Sequence, residues 1–316
     1  MSQELIDKAK TKEGVIILPN SDDIEHLSPS QINTLNSCEA KWYFRYVEGI
    51  KTPPSAALTL GSSYDDAQST YYTKKIEKDE LTVDQVVDAF VTSFDHRKPD
   101  TEWTNDENPD EIRSTGIGLV KEYQKVIAPD IEPVSVQKKY QVRFKGVDWE
   151  LIGFADLETI DGTIKDNKTS KRTPTKRIIK WDSMDTIEQD IWKSLGYSDE
   201  SWDPERYEIS PEHFFQMLSY SIAEKMLNGD QAGNKLRIDY AIKTVKPKIV
   251  SAEIPPPTSA DLKLFQHVTA HAKIKMDLIK SGELPPMPNR SSYLCSQRWC
   301  GYHSVCMQMF GGYVKP

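Results

Sequence analysis

The sequence predicts an α/β protein in which helices and strands pack as separate layers. Three observations support this fold class. Apolar residues recur at helical spacing through much of residues 28–127. β-branched and aromatic residues then nearly alternate across residues 133–170, and helical spacing returns at residues 211–227 and 260–279.

The composition indicates a protein with a substantial core in one large domain or two. The chain has 316 residues, of which 38% are hydrophobic and 28% are charged. Its start lacks the apolar centre of a secretory signal, and no apolar run approaches the roughly 20 residues that span a bilayer. We therefore expect a cytoplasmic protein with no membrane partner. Four cysteines are too few for a disulfide framework, so metal ligation or free thiols are expected.

The first part of the chain divides into a polar tail, residues 1–27, and a helical region, residues 28–132. Ser28 is a candidate N-cap, Pro29 suits the first helical position, and Gln31 completes a capping box. These signals predict a helix that carries Cys38. Further helices are predicted after Gly61, at residues 82–94 and at residues 112–127.

The second part, residues 133–285, has the pattern of a sheet followed by helices. Lys145-Gly146 and Asp161-Gly162 separate alternating segments and predict an antiparallel meander. Ser210 and Pro211 begin a helix, a further strand follows near residues 236–245, and a long helix covers residues 260–279. Residues 182–210 form an acidic insertion. Residues 286–316 form a cysteine-containing end segment.

Two acids and a lysine stand out in the meander: Asp156, Asp166 and Lys168. Asp166 and Lys168 share one face of a strand because strand side chains alternate. Two carboxylates on adjacent strands can hold Mg²⁺ or Mn²⁺, and a neighbouring lysine can stabilise charge on a phosphate. Surface charges are the alternative reading of these residues.

The turn between the two strands decides whether the acids can meet. A two-residue turn at Asp161-Gly162 would put Asp156 on the face opposite Asp166. A three-residue connection, residues 161–163, pairs Asp156 with Lys168 and puts all three groups on one face. We predict this odd-numbered register.

These motifs together resemble the RecB-type nucleases of the PD-(D/E)xK superfamily. The matching segments are Gly153-Phe154-Ala155-Asp156, Asp166-Asn167-Lys168-Thr169, and the i, i+4 pair Gln216 and Tyr220. The resemblance implies a restriction-endonuclease-like core, with a mixed central sheet flanked by helices, that hydrolyses DNA. It also implies catalytic roles for Asp156, Asp166, Lys168, Gln216 and Tyr220, and Mg²⁺ or Mn²⁺ at Asp156, Asp166 and Asn167.

The first motif of that family is a Gly followed four residues later by a metal-binding His. In this chain Gly61 is followed at that spacing by Asp65. A carboxylate is a competent Mg²⁺ ligand, so the resemblance implies Asp65 as a third metal-binding acid. Asp66 is the alternative, and a surface pair of acids on a helix is the non-functional reading.

Some members of the family hold an iron-sulfur cluster through one early cysteine and three late ones. Cys38 matches the first position, and Cys295, Cys300 and Cys306 match the others. The resemblance therefore implies a [4Fe-4S] cluster, with structural Zn²⁺ as the alternative. The spacing between the second and third cysteines differs from that of the family. His303 is an alternative ligand, although a solvent-facing histidine is the simpler expectation.

Basic residues follow Asp166-Asn167-Lys168, although the net charge of the chain is −8. Lys171, Arg172, Lys176 and Arg177 lie in a run from residue 165 to residue 180 and are candidates for binding the DNA backbone. A solvated basic face is the alternative. The expected function is a metal-dependent exonuclease acting at DNA ends in recombination, repair or phage DNA metabolism. The expected partners are DNA, as single strands or duplex ends, and a recombination or helicase protein. The alternatives are an inactive DNA-binding module and a subunit of a larger helicase-nuclease.

Overall fold

The structure, a computed structural model, describes residues 10–12, 15–17, 25–144, 147–178, 181–194, 198, 205–229 and 232–311. The predicted turn at Lys145-Gly146 lies outside the described residues. Helices within these ranges are α1 Pro29–Ser37, α2 Glu39–Tyr46, α3 Ala56–Ile76, α4 Val83–Arg97, α5 Pro109–Val126, α6 Thr186–Ser194, α7 Pro211–Asn228, α8 Ser259–Lys280 and α9 His303–Phe310. Strands are β1 Lys10–Lys12, β2 Val15–Ile17, β3 Glu25–Leu27, β4 Pro133–Phe144, β5 Trp149–Thr159, β6 Thr163–Ser170, β7 Lys176–Ile178, β8 Glu205–Tyr207, β9 Lys235–Ile242 and β10 Lys248–Ile254.

Eight of the described strands form one mixed sheet, which confirms the predicted fold class. The order is β1-β2-β4-β5-β6-β9-β10, and β3 pairs with β5 in parallel. The predicted meander forms β4, β5 and β6 in antiparallel register, and β6 pairs with β9 in parallel. Strands β7 and β8 make a separate two-stranded sheet at the acidic insertion.

Helices cover the two faces of the sheet and create two hydrophobic cores. Helices α3, α4 and α5 pack on one face, with Tyr64, Phe90 and Tyr123 in their core. Helices α1, α2, α7 and α8 pack on the other face, where Trp42 and Phe265 are buried. A residue of the sheet therefore points either to the α3 face or to the α7 face.

The predicted helix around Cys38 is two helices. Cys38 has an extended backbone, φ −166° and ψ 112°, and it separates α1 from α2. The Ser28 side chain caps α1 by accepting the N–H of Gln31. The Gln31 side chain does not complete the predicted capping box, because its Oε1 is buried without a partner among the described residues. The break turns Cys38 away from a continuous helical surface.

Part of the segment predicted as a polar tail joins the sheet. Strands β1 and β2 pair with each other, and β2 continues onto β4. Strand β3 pairs with Trp149, Glu150 and Leu151 at the start of β5. Three-residue strands are too short for alternation to reveal them, which is why the sequence analysis missed them.

The other predicted helices are close to those observed. Thr82 makes the full capping box of α4, and Ser210 caps α7 with Pro211 in the first turn. Helix α3 begins at Ala56, five residues before Gly61. Among the helices that the structure describes, none is both long enough and apolar enough to cross a bilayer.

Candidate active site

The candidate site lies where β5 and β6 separate. The paired residues of these strands are Leu157 with Lys165 and Glu158 with Ile164, next to the turn. Beyond them, β6 continues beside β9, while the start of β5 pairs with β3. Strand β4 occupies the other edge of β5 along nearly its whole length. The separation therefore leaves an opening in the sheet after Leu157.

The turn between the two strands has the predicted odd length. Its three residues are 160–162 rather than 161–163, and Thr159 faces Thr163 across it. Gly162 has φ +79°, a conformation that favours glycine. Continuing the observed register places Asp156 opposite Asp166, not opposite Lys168 as predicted. The prediction of an odd number of turn residues is confirmed. The partner of Asp156 on β6 lies two residues earlier in the chain than predicted.

Asp156 lies at a point where β5 changes the face to which its side chains point. Ala155 packs in the core on the α7 face, whereas Leu157 packs in the core on the α3 face. Strict alternation would put both on the same face. On the neighbouring strand, Gln137 lies at the matching position and has φ +50°, in the left-handed region. This irregularity turns the Asp156 carboxylate toward β6.

The Asp156 carboxylate spans the opening. Its Oδ2 accepts the backbone N–H of Asn167 at 2.8 Å, and its Oδ1 accepts a hydrogen bond from Gln137 Nε2 at 3.2 Å. Burial and the nearby Asp166 carboxylate together raise the pKa of Asp156 to about 7, while Lys168 opposes the shift. Repulsion between the two acids is thus built into the site.

Asp166 and Lys168 form an ion pair on the α7 face of β6. Lys168 Nζ lies 2.5 Å from Asp166 Oδ2, and the Asp166 side chain is 1% exposed. Burial lowers the pKa of Lys168, but the carboxylates of Asp166 and Asp156 outweigh it and raise the pKa above its usual range. Lys168 is therefore a cation at neutral pH.

Helix α3 brings Asp65 to the same site from the other side. Burial raises the pKa of Asp65 well above its ordinary value, and the charges of Asp156 and Asp166 add to this effect while Lys168 opposes it. Asp66 is engaged elsewhere: its Oδ2 lies 2.8 Å from Arg97 Nη1 and 2.6 Å from Ser93 Oγ. The structure therefore favours Asp65 over Asp66 as the third acid.

The predicted pair on α7 contacts the acids directly. Gln216 Nε2 donates to Asp166 Oδ1 at 3.0 Å and to Tyr220 Oη at 2.8 Å. The Tyr220 ring stacks on Tyr140, with centroids 5.8 Å apart. It also lies against Gly153, where a Cβ would be 2.7 Å from Tyr220 Cε1. The absence of a side chain at Gly153 thus makes room for the ring of Tyr220.

Asn167 is placed differently from the other predicted metal-binding residues. Because strand side chains alternate, its side chain lies on the opposite face of β6 from Asp166 and Lys168. Asn167 Oδ1 is buried and has no hydrogen-bond partner among the described residues. Its backbone N–H contributes to the site by holding Asp156.

Two residues that the sequence analysis missed lie beside Lys168. His213 Nδ1 is 3.1 Å from Tyr240 Oη, and Tyr240 faces Lys168 across the parallel β6–β9 pair. Burial and the Lys168 charge lower the pKa of His213, with Asp166 opposing them, so the ring is neutral at pH 7. His213 lies three residues before Gln216, so one-turn spacing on α7 is the signal that could have revealed it.

The donor set suits a divalent cation, although no complete site is preformed. Within the part of the chain that the structure describes, no group of three or more His, Cys, Asp or Glu side chains is arranged to hold a metal ion. The raised pKa values of Asp65 and Asp156 reflect burial first and then the crowded negative charge beside the buried Asp166. A hard cation such as Mg²⁺ prefers these oxygen ligands and would offset that repulsion.

The predicted basic run separates into buried and exposed residues. Lys165 is 1% exposed and its Nζ lies 2.6 Å from Asp239 Oδ2, so it belongs to the core and not to a basic surface. Lys171, Arg172 and Lys176 are exposed after the end of β6. The backbone of Arg177 is in β7, but its side chain lies outside what the structure describes.

The four cysteines come together at the junction of α1, α2 and the end segment. Cys306 is buried, and Cys38 and Cys300 pack in the same cluster with Phe44 and Tyr302. Burial raises the pKa of the Cys300 and Cys306 thiols, and the neighbouring Cys38 and Cys295 raise it further. The arrangement brings the early cysteine to the three late ones across more than 250 residues of chain.

His303, the alternative ligand, is not solvent-facing at its ring Nε2. That atom is buried and has no hydrogen-bond partner among the described residues. The simpler sequence expectation for His303 was therefore wrong. The histidine begins α9, between Cys300 and Cys306.

One comparison with solved structures agrees with this architecture. A provisionally described exonuclease from Eubacterium rectale superposes with a TM-score of 0.56 at 14% identity, over 92% of this chain and 90% of that one, which shows a shared fold. A second solved structure, SSO0001, matches with a TM-score of 0.32 at 11% identity, over 84% of this chain and 89% of that one. No curated protein matches the chain significantly.

The family itself is shown by a match along nearly the whole sequence. Residues 26–307 match the family described as the PD-(D/E)XK nuclease superfamily. That range contains the opening between β5 and β6, helix α3 with Asp65, helix α7 with Gln216, and all four cysteines. The protein belongs to the PD-(D/E)XK nuclease superfamily.

Proposed function

We propose that this protein is a metal-dependent deoxyribonuclease that hydrolyses phosphodiester bonds. The observation that carries the proposal is the proximity of Asp65, Asp156 and Asp166 to one another and to Lys168, a half-buried cation. Acids packed so closely oppose one another, as the raised pKa values of Asp65 and Asp156 indicate. Such crowding is typical of functional sites rather than of cores selected for stability.

Asp65, Asp156 and Asp166 would hold Mg²⁺ or Mn²⁺, which would polarise the phosphate and lower the pKa of a water molecule when bound. The carboxylates supply charge and orientation for that ion. The N–H of Asn167 fixes one oxygen of Asp156, and Gln216 fixes one oxygen of Asp166. The other oxygen of Asp166 pairs with Lys168, and the other oxygen of Asp156 accepts a hydrogen bond from Gln137.

Lys168 would act on the phosphate. Its ammonium group stays charged because Asp166 and Asp156 raise its pKa. A positive charge held at a fixed place beside the scissile phosphate stabilises the extra negative charge of the transition state more than that of the ground state. Gln216 and Tyr220 would be positioning residues, since they reach the reaction through Asp166.

DNA ends are the proposed substrate, in recombination, repair or phage DNA metabolism. The RecB-type motifs support this choice, as does the shared fold with a provisionally described exonuclease. The exposed Lys171, Arg172 and Lys176 would bind backbone phosphates beyond β6, and Arg177 is proposed with them from its sequence position. A recombination or helicase protein is the proposed partner class.

We propose a [4Fe-4S] cluster at Cys38, Cys295, Cys300 and Cys306. The proximity of the four thiols supports this ligand set, although their side chains would have to turn toward a shared centre, since no such group is preformed among the described residues. Structural Zn²⁺ is the alternative for the same four residues. The cluster would join α1 and α2 to the end segment and so hold both on the nuclease core. Brown, anaerobically purified protein with iron and sulfide near stoichiometry supports the cluster, whereas colourless protein containing zinc supports the alternative.

Cleavage of end-labelled DNA in Mn²⁺ tests the enzyme proposal. We expect wild-type protein to release labelled nucleotides and Asp166→Ala to release none above background. Equal release by both proteins would contradict the proposal.

A DNA-binding module without cleavage is the second candidate. Asp65 in place of the family histidine favours it, as does the lack of a preformed metal group among the described residues. Tight DNA binding by both proteins, with no cleavage by either in Mg²⁺ or Mn²⁺, would support this second function.

A further inference from the structure

An exposed aromatic ring lies two residues before Asp156. Phe154 is 50% exposed, although its neighbours Gly153 and Ala155 are buried. Single exposed apolar residues are common on protein surfaces. This one differs because it lies on the part of β5 that has separated from β6, at the border of the opening that contains the acids.

The ring belongs to the face of the sheet opposite α7. Gly153 contacts Tyr220 of α7, and Tyr140 opposite Gly153 is buried on the same side. Alternation therefore points Phe154 to the α3 face. Helix α3 reaches this face at Gln137, whose Nε2 is 3.5 Å from Ser69 Oγ, but it leaves Phe154 half uncovered.

The nearest cross-strand neighbour of Phe154 is a cation. Lys139 faces Phe154 directly in the β4–β5 register, and it is exposed. Gln137 and Asp156 come next along the two strands and are joined by a hydrogen bond. The surface therefore runs from a lysine and an aromatic ring straight to the cluster of acids.

We propose that Phe154 and Lys139 form the surface on which a single DNA strand enters the site. The base beside the scissile phosphate stacks on Phe154, and a backbone phosphate pairs with Lys139. An aromatic ring next to a cation is the usual combination for binding single strands. Bases inside a duplex are stacked on their own neighbours, so this surface fits an unpaired strand or a frayed end.

This inference rests on the proposed function, which it deepens by naming the strand state of the substrate. The test measures binding and base stacking separately from cleavage. The probe is an oligonucleotide with 2-aminopurine at successive positions and phosphorothioate linkages that slow hydrolysis, studied with Mn²⁺ as a single strand and as a blunt duplex. Stacking quenches 2-aminopurine fluorescence.

The variants are Phe154→Ala, Phe154→Leu and Phe154→Trp, with Ile160→Ala as the matched control. Ile160 is 78% exposed at the turn, away from the opening. We expect wild-type protein to quench one position strongly. Phe154→Ala and Phe154→Leu should lose that quenching and bind the single strand about tenfold more weakly. Phe154→Trp and Ile160→Ala should behave like wild type, and duplex affinity should change less than twofold.

The outcomes separate this inference from the proposed function. Wild-type cleavage together with unchanged quenching and affinity in Phe154→Ala would overturn the single-strand surface alone. Phe154-dependent binding without any cleavage would overturn the nuclease proposal and keep the surface. Absence of DNA binding by wild-type protein would overturn both. A loss of duplex affinity equal to the loss of single-strand affinity would contradict the choice of an unpaired strand.

Discussion

The ring of Tyr220 occupies the space that a side chain at Gly153 would need. A Cβ at position 153 would lie 2.7 Å from Tyr220 Cε1 and 3.3 Å from Cδ1. Tyr220 also accepts a hydrogen bond from Gln216, which holds Asp166. The Gly153–Asp156 segment of β5 and the Gln216–Tyr220 pair of α7 therefore depend on each other through packing, and not only through their shared site.

Gly153→Ala is expected to displace Tyr220 and so disturb Gln216 and Asp166. We expect a loss of about 1–3 kcal/mol in the free energy of unfolding and a fall of about 10- to 100-fold in kcat/KM. Chemical denaturation and steady-state cleavage measure the two effects. In a Tyr220→Ala background the same glycine change should cost much less, because the ring is gone. Equal costs in both backgrounds would contradict the contact.

Asp65 and Asp66 are neighbours with different expected roles. Asp65→Asn should reduce cleavage by at least about 100-fold, because it removes a charged oxygen from the proposed cation site. Asp66→Asn should keep cleavage within about twofold of wild type. It should lower the free energy of unfolding by less than about 1 kcal/mol, because its pair with Arg97 is partly exposed. The opposite pattern would assign Asp66 to the site.

The pH dependence of stability should reveal the crowded acids. The pKa of Asp156 is raised to about 7, whereas an unfolded aspartate has a pKa of about 3.9. Between these values the folded chain binds more protons than the unfolded chain. The free energy of unfolding of metal-free protein should therefore fall as pH rises from about 4 to about 7.

Asp156→Asn supplies the control for this pH dependence. The variant keeps an oxygen that can accept the Asn167 N–H but has no charge to titrate. We expect it to be more stable than wild type at pH 8 in EDTA and to show a shallower decline between about pH 4 and pH 7. Thermal unfolding across pH measures both. Parallel curves for the two proteins would show that Asp156 is not under electrostatic strain.

Loss of Cys38 should affect both the metal content and the attachment of the end segment. Cys38→Ser is expected to lower bound iron, or zinc, to well below one equivalent of cluster or ion. It should also expose residues 286–311 to proteolysis, because metal binding and folding are coupled. Ser37→Ala changes only the neighbouring hydroxyl, which donates to Thr34 O, and should retain metal. Full metal content in Cys38→Ser would exclude Cys38 as a ligand.

The parts of the fold that were predictable carry strong local patterns. Alternation in β4, β5 and β6 and the caps at Thr82 and Ser210 are visible in single segments of sequence. The odd-numbered connection was also predictable, because a strict two-residue turn would have placed Asp156 and Asp166 on opposite faces. Its shift by two residues was not, since Thr159 and Asp161 fix the turn with side-chain hydrogen bonds.

The features that were missed depend on contacts between distant segments. The break at Cys38 leaves the helical spacing of apolar residues in the sequence almost unchanged. In the structure the end segment contacts this break, where the N–H of Asn289 donates to Cys38 Sγ. The irregularity at Gln137 appears only when β4 and β5 are assembled, and the contact of His213 with Tyr240 beside Lys168 appears only when α7 packs on β6 and β9. Local sequence thus identified the acids, whereas the directions of their side chains depend on tertiary contacts.

Anomalous diffraction from crystals soaked in Mn²⁺ tests the central claim most directly. The account predicts a manganese peak in the opening between β5 and β6, coordinated by carboxylate oxygens of Asp65, Asp156 and Asp166, and no such peak in Asp156→Asn crystals. Full manganese occupancy elsewhere, with these three carboxylates unoccupied, would contradict it.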